Sequence, residues 1–323
     1  MNKRPRVIAT RHFPADVERR LAELFDAKLN PDDRQLSPDE LVTLAQGADG
    51  LMVAATGRVD ADLIGRLPSS VRIIATFSVG YEHIDIAAAD SRGIVVTNTP
   101  DVLTDATAEI ALLLLLAAAR RAHEGASMLR QNRWTGWTPT QLMGIGLNGK
   151  RLGIVGMGRI GQALAQRARA CGMEIHYYNR KRLPAALEAG ATWYPDVEAL
   201  LPQAQFLSLH CPLTPQTAKL MDGRRIGMLP DGAVLVNTAR GGIVDDDALI
   251  AALGSGKLAY AGLDVFEGEP KVDPRYLALE NAFILPHMGS ATIETRNAMG
   301  FRAIVNLKAM LIDGAEPPHR VRP

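Results

Sequence analysis

The sequence predicts an α/β protein of two doubly wound, parallel-sheet domains. Three observations carry that prediction. Short apolar runs alternate with amphipathic stretches over most of the chain, as when each strand is followed by a covering helix. The alternation restarts at residue 151, where a strand-like run leads straight into Gly156-x-Gly158-x-x-Gly161. A length of 323 residues is ordinary for two domains and long for one.

In the first unit, residues 7–10 read as a strand and 15–25 as a helix. Ser37-Pro38-Asp39-Glu40 has the form of a capping box with proline at the first helical position, so a helix begins there. Strands follow at 50–55, 71–77 and 94–98, with helices at 60–67 and 84–92 between them. A long helix is expected over 105–125. It is apolar almost all round through 112–116, which requires burial on most sides, either between the domains or against a second subunit. The second unit has strands at 152–155, 174–178, 206–210, 233–237, 262–266 and 283–285. Helices are expected at 160–170 and 248–253, the latter opened by Asp245-Asp246-Asp247 because carboxylates favour the positive end of a helix. A last helix at 293–312 has no strand after it in the second unit, so it is expected to cross back onto the first. The expected domains are therefore 1–99 plus 290–323, and 100–289.

Bulk properties exclude several classes. Hydrophobic residues at 47% supply two cores, and a formal net charge of +1 gives no global case for nucleic acid or an acidic membrane. Two cysteines, Cys171 and Cys211, make no disulfide framework and fit a reducing cytoplasm. The N-terminal Met1-Asn2-Lys3-Arg4-Pro5-Arg6 is basic but has no apolar signal core behind it. The most apolar run, 110–119, is half the roughly 20 residues a bilayer-spanning helix needs. His83, His123, His176 and His319 lack ligand spacing, and no metal site is expected.

The glycine turn has the right flanks for a dinucleotide cradle. Its glycines allow a tight turn, close backbone approach to a pyrophosphate and close strand–helix packing, and the helix N-terminus offers free N–H groups. A second strand ends about 20 residues on, as the fingerprint requires. There the chain reads Asn179-Arg180-Lys181-Arg182 rather than an acidic residue that would bond a ribose 2′-hydroxyl. No carboxylate repels a 2′-phosphate and an arginine can pair with one, so NADPH is favoured over NADH. A solvated basic loop indifferent to the phosphate is the plainer alternative.

Further segments complete a pattern: Ser78-Val79-Gly80-Tyr81-Glu82-His83-Ile84-Asp85, Thr104-Asp105-Ala106-Thr107-Ala108-Glu109, and His210-Cys211-Pro212-Leu213-Thr214. It continues with Asn237-Thr238-Ala239-Arg240-Gly241, Leu263-Asp264-Val265-Phe266-Glu267-Gly268-Glu269-Pro270, and Pro286-His287-Met288-Gly289-Ser290-Ala291-Thr292. Together with the glycine turn they resemble the D-isomer-specific 2-hydroxyacid dehydrogenases over essentially the whole chain, in particular the glyoxylate/hydroxypyruvate reductase branch. The resemblance implies a Rossmann cofactor domain, a flavodoxin-like substrate domain and a homodimer formed through the cofactor domain.

It also implies that Arg240, Glu269 and His287 are catalytic, and their chemistry agrees. Arg240 offers a planar fork of donors to a substrate carboxylate or keto oxygen. His287 suits proton donation to the keto oxygen, and Glu269 suits holding that imidazole oriented and protonated. Each alone also fits a plain role: a structural ion pair, a surface turn before Pro270, a capped strand end. By the same resemblance Val79 and Gly80 offer backbone N–H groups to the substrate, with residues 52–55 as the opposite wall. Gly156, Gly158, Arg159, Ile160 and Gly161 meet the pyrophosphate, with Asn179, Arg180 and Lys181 at the ribose. Cys211 and Pro212 serve the adenosine half, and Thr238 and Asp264 the nicotinamide half. Thr107, Ala239 and Gly289 complete the cofactor set, and Trp137 matches a tryptophan that caps the neighbouring subunit's site or packs half-buried.

The expected activity is NADPH-preferring reduction of glyoxylate to glycolate and hydroxypyruvate to D-glycerate. A 2-ketogluconate-type sugar-acid reductase is the near alternative. Formate dehydrogenases of this fold pair the histidine with glutamine, which Glu269 argues against, and phosphite oxidation is compatible with the motifs. A different class is a nucleotide-gated, non-enzymatic corepressor-like protein; the absence of long disordered tails disfavours it.

Overall fold

The computed structural model describes residues 4–323, so the first three residues of the basic N-terminal run lie outside the described residues. The chain divides into two compact units, one of residues up to Leu103 with Ala291–Pro323, the other of Thr104–Ser290.

The first unit runs β1 (Arg6–Ala9), α1 (Ala15–Leu24), β2 (Asp26–Lys28), α2 (Pro38–Leu44), β3 (Gly50–Ala54), α3 (Ala61–Arg66), β4 (Ile73–Phe77), α4 (Ile86–Ser91) and β5 (Val95–Thr97). The second runs α5 (Thr104–Ala119), α6 (Ala122–Arg130), β6 (Arg151–Val155), α7 (Arg159–Ala170), β7 (Glu174–Tyr178), α8 (Ala185–Glu188), β8 (Thr192–Tyr194), α9 (Val197–Leu200), β9 (Phe206–Leu209), α10 (Gly223–Met228), β10 (Ala233–Asn237), α11 (Asp246–Ser255), β11 (Leu258–Leu263), α12 (Pro274–Leu277) and β12 (Ala282–Ile284). The chain then returns to the first unit as α13 (Ile293–Leu311) and β13 (Arg320–Val321).

The first sheet has the order β13-β5-β4-β3-β1-β2, parallel throughout except that β13 runs antiparallel to β5. Its five parallel strands have the flavodoxin-like order. Side chains alternate across a strand, and both faces of the central strands are covered, so β3 and β4 read as nearly continuous apolar runs. Thus Val7 and Ala9 face the core shared with Val17, Leu21 and Leu307, while Ile8 faces Leu41, Leu63 and Ile64 on the other side. Ser37 caps α2 as expected: its hydroxyl accepts from the Glu40 N–H, and Glu40 reaches back to the Ser37 N–H at 2.8 Å.

The second sheet has the order β12-β11-β10-β9-β6-β7-β8 and is parallel throughout. The order reverses between β6 and β9, so the loops leaving their carboxyl ends diverge to opposite faces and open a crevice, the Rossmann arrangement.

Several expectations need correction. The helix expected over 105–125 breaks: α5 ends at Ala119, Arg121 turns left-handed at φ 56°, and α6 begins at Ala122. Helix α5 is buried on most sides, as expected, and leaves one exposed stripe on which Leu113 and Leu116 are 44% and 37% exposed. The strand expected at 262–266 instead spans Leu258–Leu263; Asp264 leaves the sheet to bond another turn, and Val265 and Phe266 are buried without pairing. The short edge strands β2, β8 and β13 escaped the periodicity reading, since an edge strand of two or three residues shows no apolar pattern. Among the described residues, no helix is long and apolar enough to cross a membrane.

Helix α13 seats on α1 through Gly300, where an added Cβ would fall inside contact distance of the Val17 side chain. Val17 is fully buried and β-branched, so it has little freedom to yield. Gly300→Ala is expected to destabilise by about 1–3 kcal/mol through overpacking, despite alanine's better helix propensity. Pairing it with Val17→Ala should cost less than the two single changes added together; urea unfolding of the four proteins checks this, and strict additivity would refute the contact.

Candidate active site

The carboxyl end of β6 delivers the glycine turn. Gly156 has φ 95°, and a Cβ there would stand 2.6 Å from the Cys211 backbone nitrogen. Gly161 is equally tight: its Cβ would meet the Gly156 carbonyl oxygen at 2.6 Å. Around Gly158 the space where a Cβ would project is open. Helix α7 starts there with no side-chain cap and no acidic residue in its first turn, so its leading N–H groups are offered outward. An anionic phosphate fits these features: open backbone, a positive helix end and no competing carboxylate. Arg159 and Ile160 occupy the first positions of this helix, as the sequence placed them.

Asn179 has a role the sequence reading did not assign. Its side-chain oxygen accepts from the Met157 N–H at 2.7 Å and its amide donates to the Met157 carbonyl at 3.3 Å. It therefore braces the glycine turn from the end of β7. Arg180 and Lys181 are exposed, as a phosphate-binding role requires. Thr107 is buried and donates to the Gly289 carbonyl at 3.0 Å, tying α5 to the turn that follows His287. Burial pushes the Cys211 thiol up to about 11, so it stays a protonated thiol at neutral pH. Pro212 accepts from the Thr217 hydroxyl at 2.6 Å through its carbonyl oxygen.

Three turns carry Arg240, Glu269 and His287, and the unit brings them together. Gly241 packs backbone to backbone on Phe266 and Glu267, where no Cβ could fit. Glu269 accepts from the Phe266 N–H at 2.8 Å through Oε1, while Oε2 lies 2.7 Å from His287 Nδ1. An ionised carboxylate only accepts, so Nδ1 is the donor. Burial raises the Glu269 carboxyl, but the hydrogen bonds from His287 and Phe266, with the charges of His287 and Arg240, outweigh it and hold it below its ordinary value. His287 itself is half exposed and left-handed at φ 53°.

Two buried polar side chains shape these turns. Asn237 accepts from the Ala239 N–H at 3.0 Å and donates to the Arg240 carbonyl at 2.9 Å, fixing the turn that carries Thr238 to Arg240. Asp264 accepts from the Met288 and Gly289 N–H groups at 2.6 and 2.7 Å, and its carbonyl accepts from the His287 N–H at 2.9 Å. Burial raises its carboxyl above the ordinary value, against the pull of those two amides. Asp264 thus shapes the His287 turn with both side-chain oxygens. Asn237 was missed as a functional residue, although an asparagine closing a strand and bonding the N–H two residues on is a known local signature.

In the first unit, Val79 and Gly80 follow β4. Asn98 donates to the Val79 carbonyl at 2.8 Å and Ser78 to the Gly80 carbonyl at 2.6 Å, while neither residue's N–H is engaged among the described residues. The wall expected from 52–55 shrinks, because Met52 and Val53 lie in the core and only Ala54 and Ala55 have surface. Trp137 is 78% exposed rather than half-buried. No group of three or more His, Cys, Asp or Glu residues that could hold a metal ion occurs among the described residues.

His210, at the end of β9, was not singled out. Its Nε2 lies 2.8 Å from the Ser208 hydroxyl and Nδ1 3.5 Å from that of Thr238. Burial lowers it from 6.5 to about 4, so it stays neutral where the unfolded chain's histidine takes up a proton. Its contribution to stability is therefore complete above pH 6.5 and is lost as pH falls towards about 4, by up to about 3 kcal/mol. Urea midpoints at pH 7 and pH 4.5 should show a larger acid loss in the wild type than in His210→Gln; equal losses refute this.

Comparison with known proteins places this geometry in a family. The family model for the D-isomer specific 2-hydroxyacid dehydrogenase, NAD binding domain, matches residues 112–289. A glyoxylate reductase of Thermococcus litoralis is 43% identical over 322 residues, covering 98% of this chain and 97% of that protein. A glycerate dehydrogenase of Hyphomicrobium methylovorum is 42% identical over 300 residues, covering 92% and 93%. Among solved structures, an NADPH-dependent glyoxylate/hydroxypyruvate reductase from Sinorhizobium meliloti, in complex with NADP and malonate, is 36% identical. It superposes with a TM-score of 0.88 over 99% of this chain and all of the other. The chain thus belongs to the D-isomer specific 2-hydroxyacid dehydrogenase family of oxidoreductases.

Proposed function

We propose that the protein is an NADPH-preferring reductase of small 2-keto acids, forming glycolate from glyoxylate and D-glycerate from hydroxypyruvate. The observation that carries this reading is the 2.7 Å contact of His287 Nδ1 with an ionised Glu269 in the turn cluster that also holds Arg240. A reduced nicotinamide supplies the hydride when bound. Arg240 binds the substrate carboxylate and polarises the keto oxygen with its guanidinium fork. Val79 and Gly80 offer N–H groups to the carboxylate. His287 holds a proton on the nitrogen away from Glu269 and releases it to the keto oxygen. Glu269 stabilises the charged imidazole before that transfer and keeps its ring oriented. Gly156 to Gly161 receive the pyrophosphate, and Arg180 and Lys181 the 2′-phosphate. The names of the relatives support glyoxylate, hydroxypyruvate and glycerate as the substrate class. We place the enzyme in the cytoplasm, which its two free cysteines fit.

A homodimer through the second unit completes the proposal. Leu113, Leu116, Leu129, Trp134, Trp137 and Met143 are exposed within one stretch of the chain, and a second copy covering them would take their apolar surface out of water.

Initial rates with each cofactor and with glyoxylate, hydroxypyruvate, pyruvate and 2-ketogluconate test the activity. Fast NADPH oxidation with the two small keto acids is expected, and an NADH preference or preferred turnover of 2-ketogluconate overturns that part. Glu269→Gln should lower kcat by about 10²-fold with a much smaller change in KM, because the imidazole loses the carboxylate that orients it at 2.7 Å. An unchanged kcat refutes the role given to Glu269. Light scattering should report twice the monomer mass, and Trp134→Glu with Trp137→Glu should weaken the dimer; a wild-type monomer overturns the assembly.

A further inference from the structure

The loop after β7 carries three consecutive basic residues, but they are not equivalent. Arg182 doubles back on the buried Glu188, its Nε reaching Oε1 at 2.8 Å and its Nη2 reaching Oε2 at 3.0 Å. Glu188 is only 6% exposed and needs such partners. Tyr177, fully buried in β7, donates its hydroxyl to the same carboxylate at 2.6 Å and accepts from the Leu183 N–H at 3.0 Å. Arg169 of α7 donates to the Glu188 carbonyl at 2.8 Å. At the other end of the loop, Asn179 is clamped to Met157, and its carbonyl accepts from Trp193 at 3.3 Å. Residue 179 and residues 182–183 are thus tied to the core, and only Arg180 and Lys181 stand between them. Both are exposed and make no hydrogen bond or ion pair among the described residues.

We propose that Tyr177, Glu188 and Arg182 form a positioning lock for cofactor specificity. The lock holds the loop so that Arg180 and Lys181, and not Arg182, receive an adenosine 2′-phosphate. This rests on the NADPH reading above. Arg182's charge is already matched by Glu188, which leaves two cations for a dianionic phosphate. A loop ordered in advance loses less freedom on binding, so the two cations hold the phosphate more tightly than they would on a loose strand. Asn179 cannot substitute for the lock, because it fixes the chain on only one side of the pair.

The test is calorimetric titration of the full-length protein with adenosine 2′,5′-bisphosphate and with 5′-AMP, which differ by the 2′-phosphate. The variants are Tyr177→Phe, which keeps the ring in the core, and Glu188→Gln. The wild type is expected to bind the bisphosphate about tenfold more tightly than AMP. Each variant should lose about three- to tenfold on the bisphosphate and stay within about twofold on AMP. Glu188→Gln removes a negative charge near the phosphate, so charge alone would tighten binding; weakening marks positioning. A wild-type ratio near one overturns the NADPH reading and the lock with it. A strong wild-type ratio that either variant leaves unchanged or raises overturns the lock alone. Equal loss on both ligands, the mark of a merely structural role, also overturns it.

Discussion

The all-parallel pairing of the second sheet is the constraint on which the candidate site depends. Parallel strands need a crossover between each pair, so the chain always leaves the sheet on one edge and re-enters on the other. The turns after β6, β7, β9, β10 and β11, and the segment after β12, therefore gather along one edge. Gly156, Asn179, His210, Arg240, Asp264 and His287 are far apart in sequence and share that edge. The reversal of strand order between β6 and β9 opens the crevice there rather than elsewhere.

Convergence alone does not set side-chain geometry. Turns at a strand edge carry backbone groups that the sheet no longer pairs, and a few polar side chains take them up. Asn179 serves Met157, Asn237 serves Ala239 and Arg240, and Asp264 serves Met288 and Gly289. Each lies at or just beyond a strand end, with Asn237 and Asp264 fully enclosed. A buried polar group left without a partner is costly, so each such pairing strongly favours one conformation of its turn. This is why His287 can hold a left-handed backbone and still meet Glu269 at 2.7 Å.

The same economy governs charge. Glu269 is kept ionised by donors and by cationic neighbours although it is partly buried, and Glu188 by a bidentate arginine and a tyrosine. Among the described residues His210 has no cationic or anionic partner of that kind, and burial holds it neutral. Within one unit, partners thus keep two enclosed carboxylates ionised, while burial without such partners keeps an imidazole neutral.

By itself the sequence determined what local periodicity and turn chemistry encode. The α/β class, most strands and helices, the Ser37 cap, the glycine turn and the order of the turns bearing Arg240, Glu269 and His287 were legible because each signal lies within a few neighbouring residues. Tertiary structure alone decided the rest. The break at Arg121, the early end of β11 before Asp264, the clamp by Asn179 and the pairing of Arg182 with Glu188 depend on partners that periodicity does not name. The exposed leucines of α5 show the limit plainly: an all-round apolar helix reads as buried, yet which of its faces meets protein is set by the sheet it packs on.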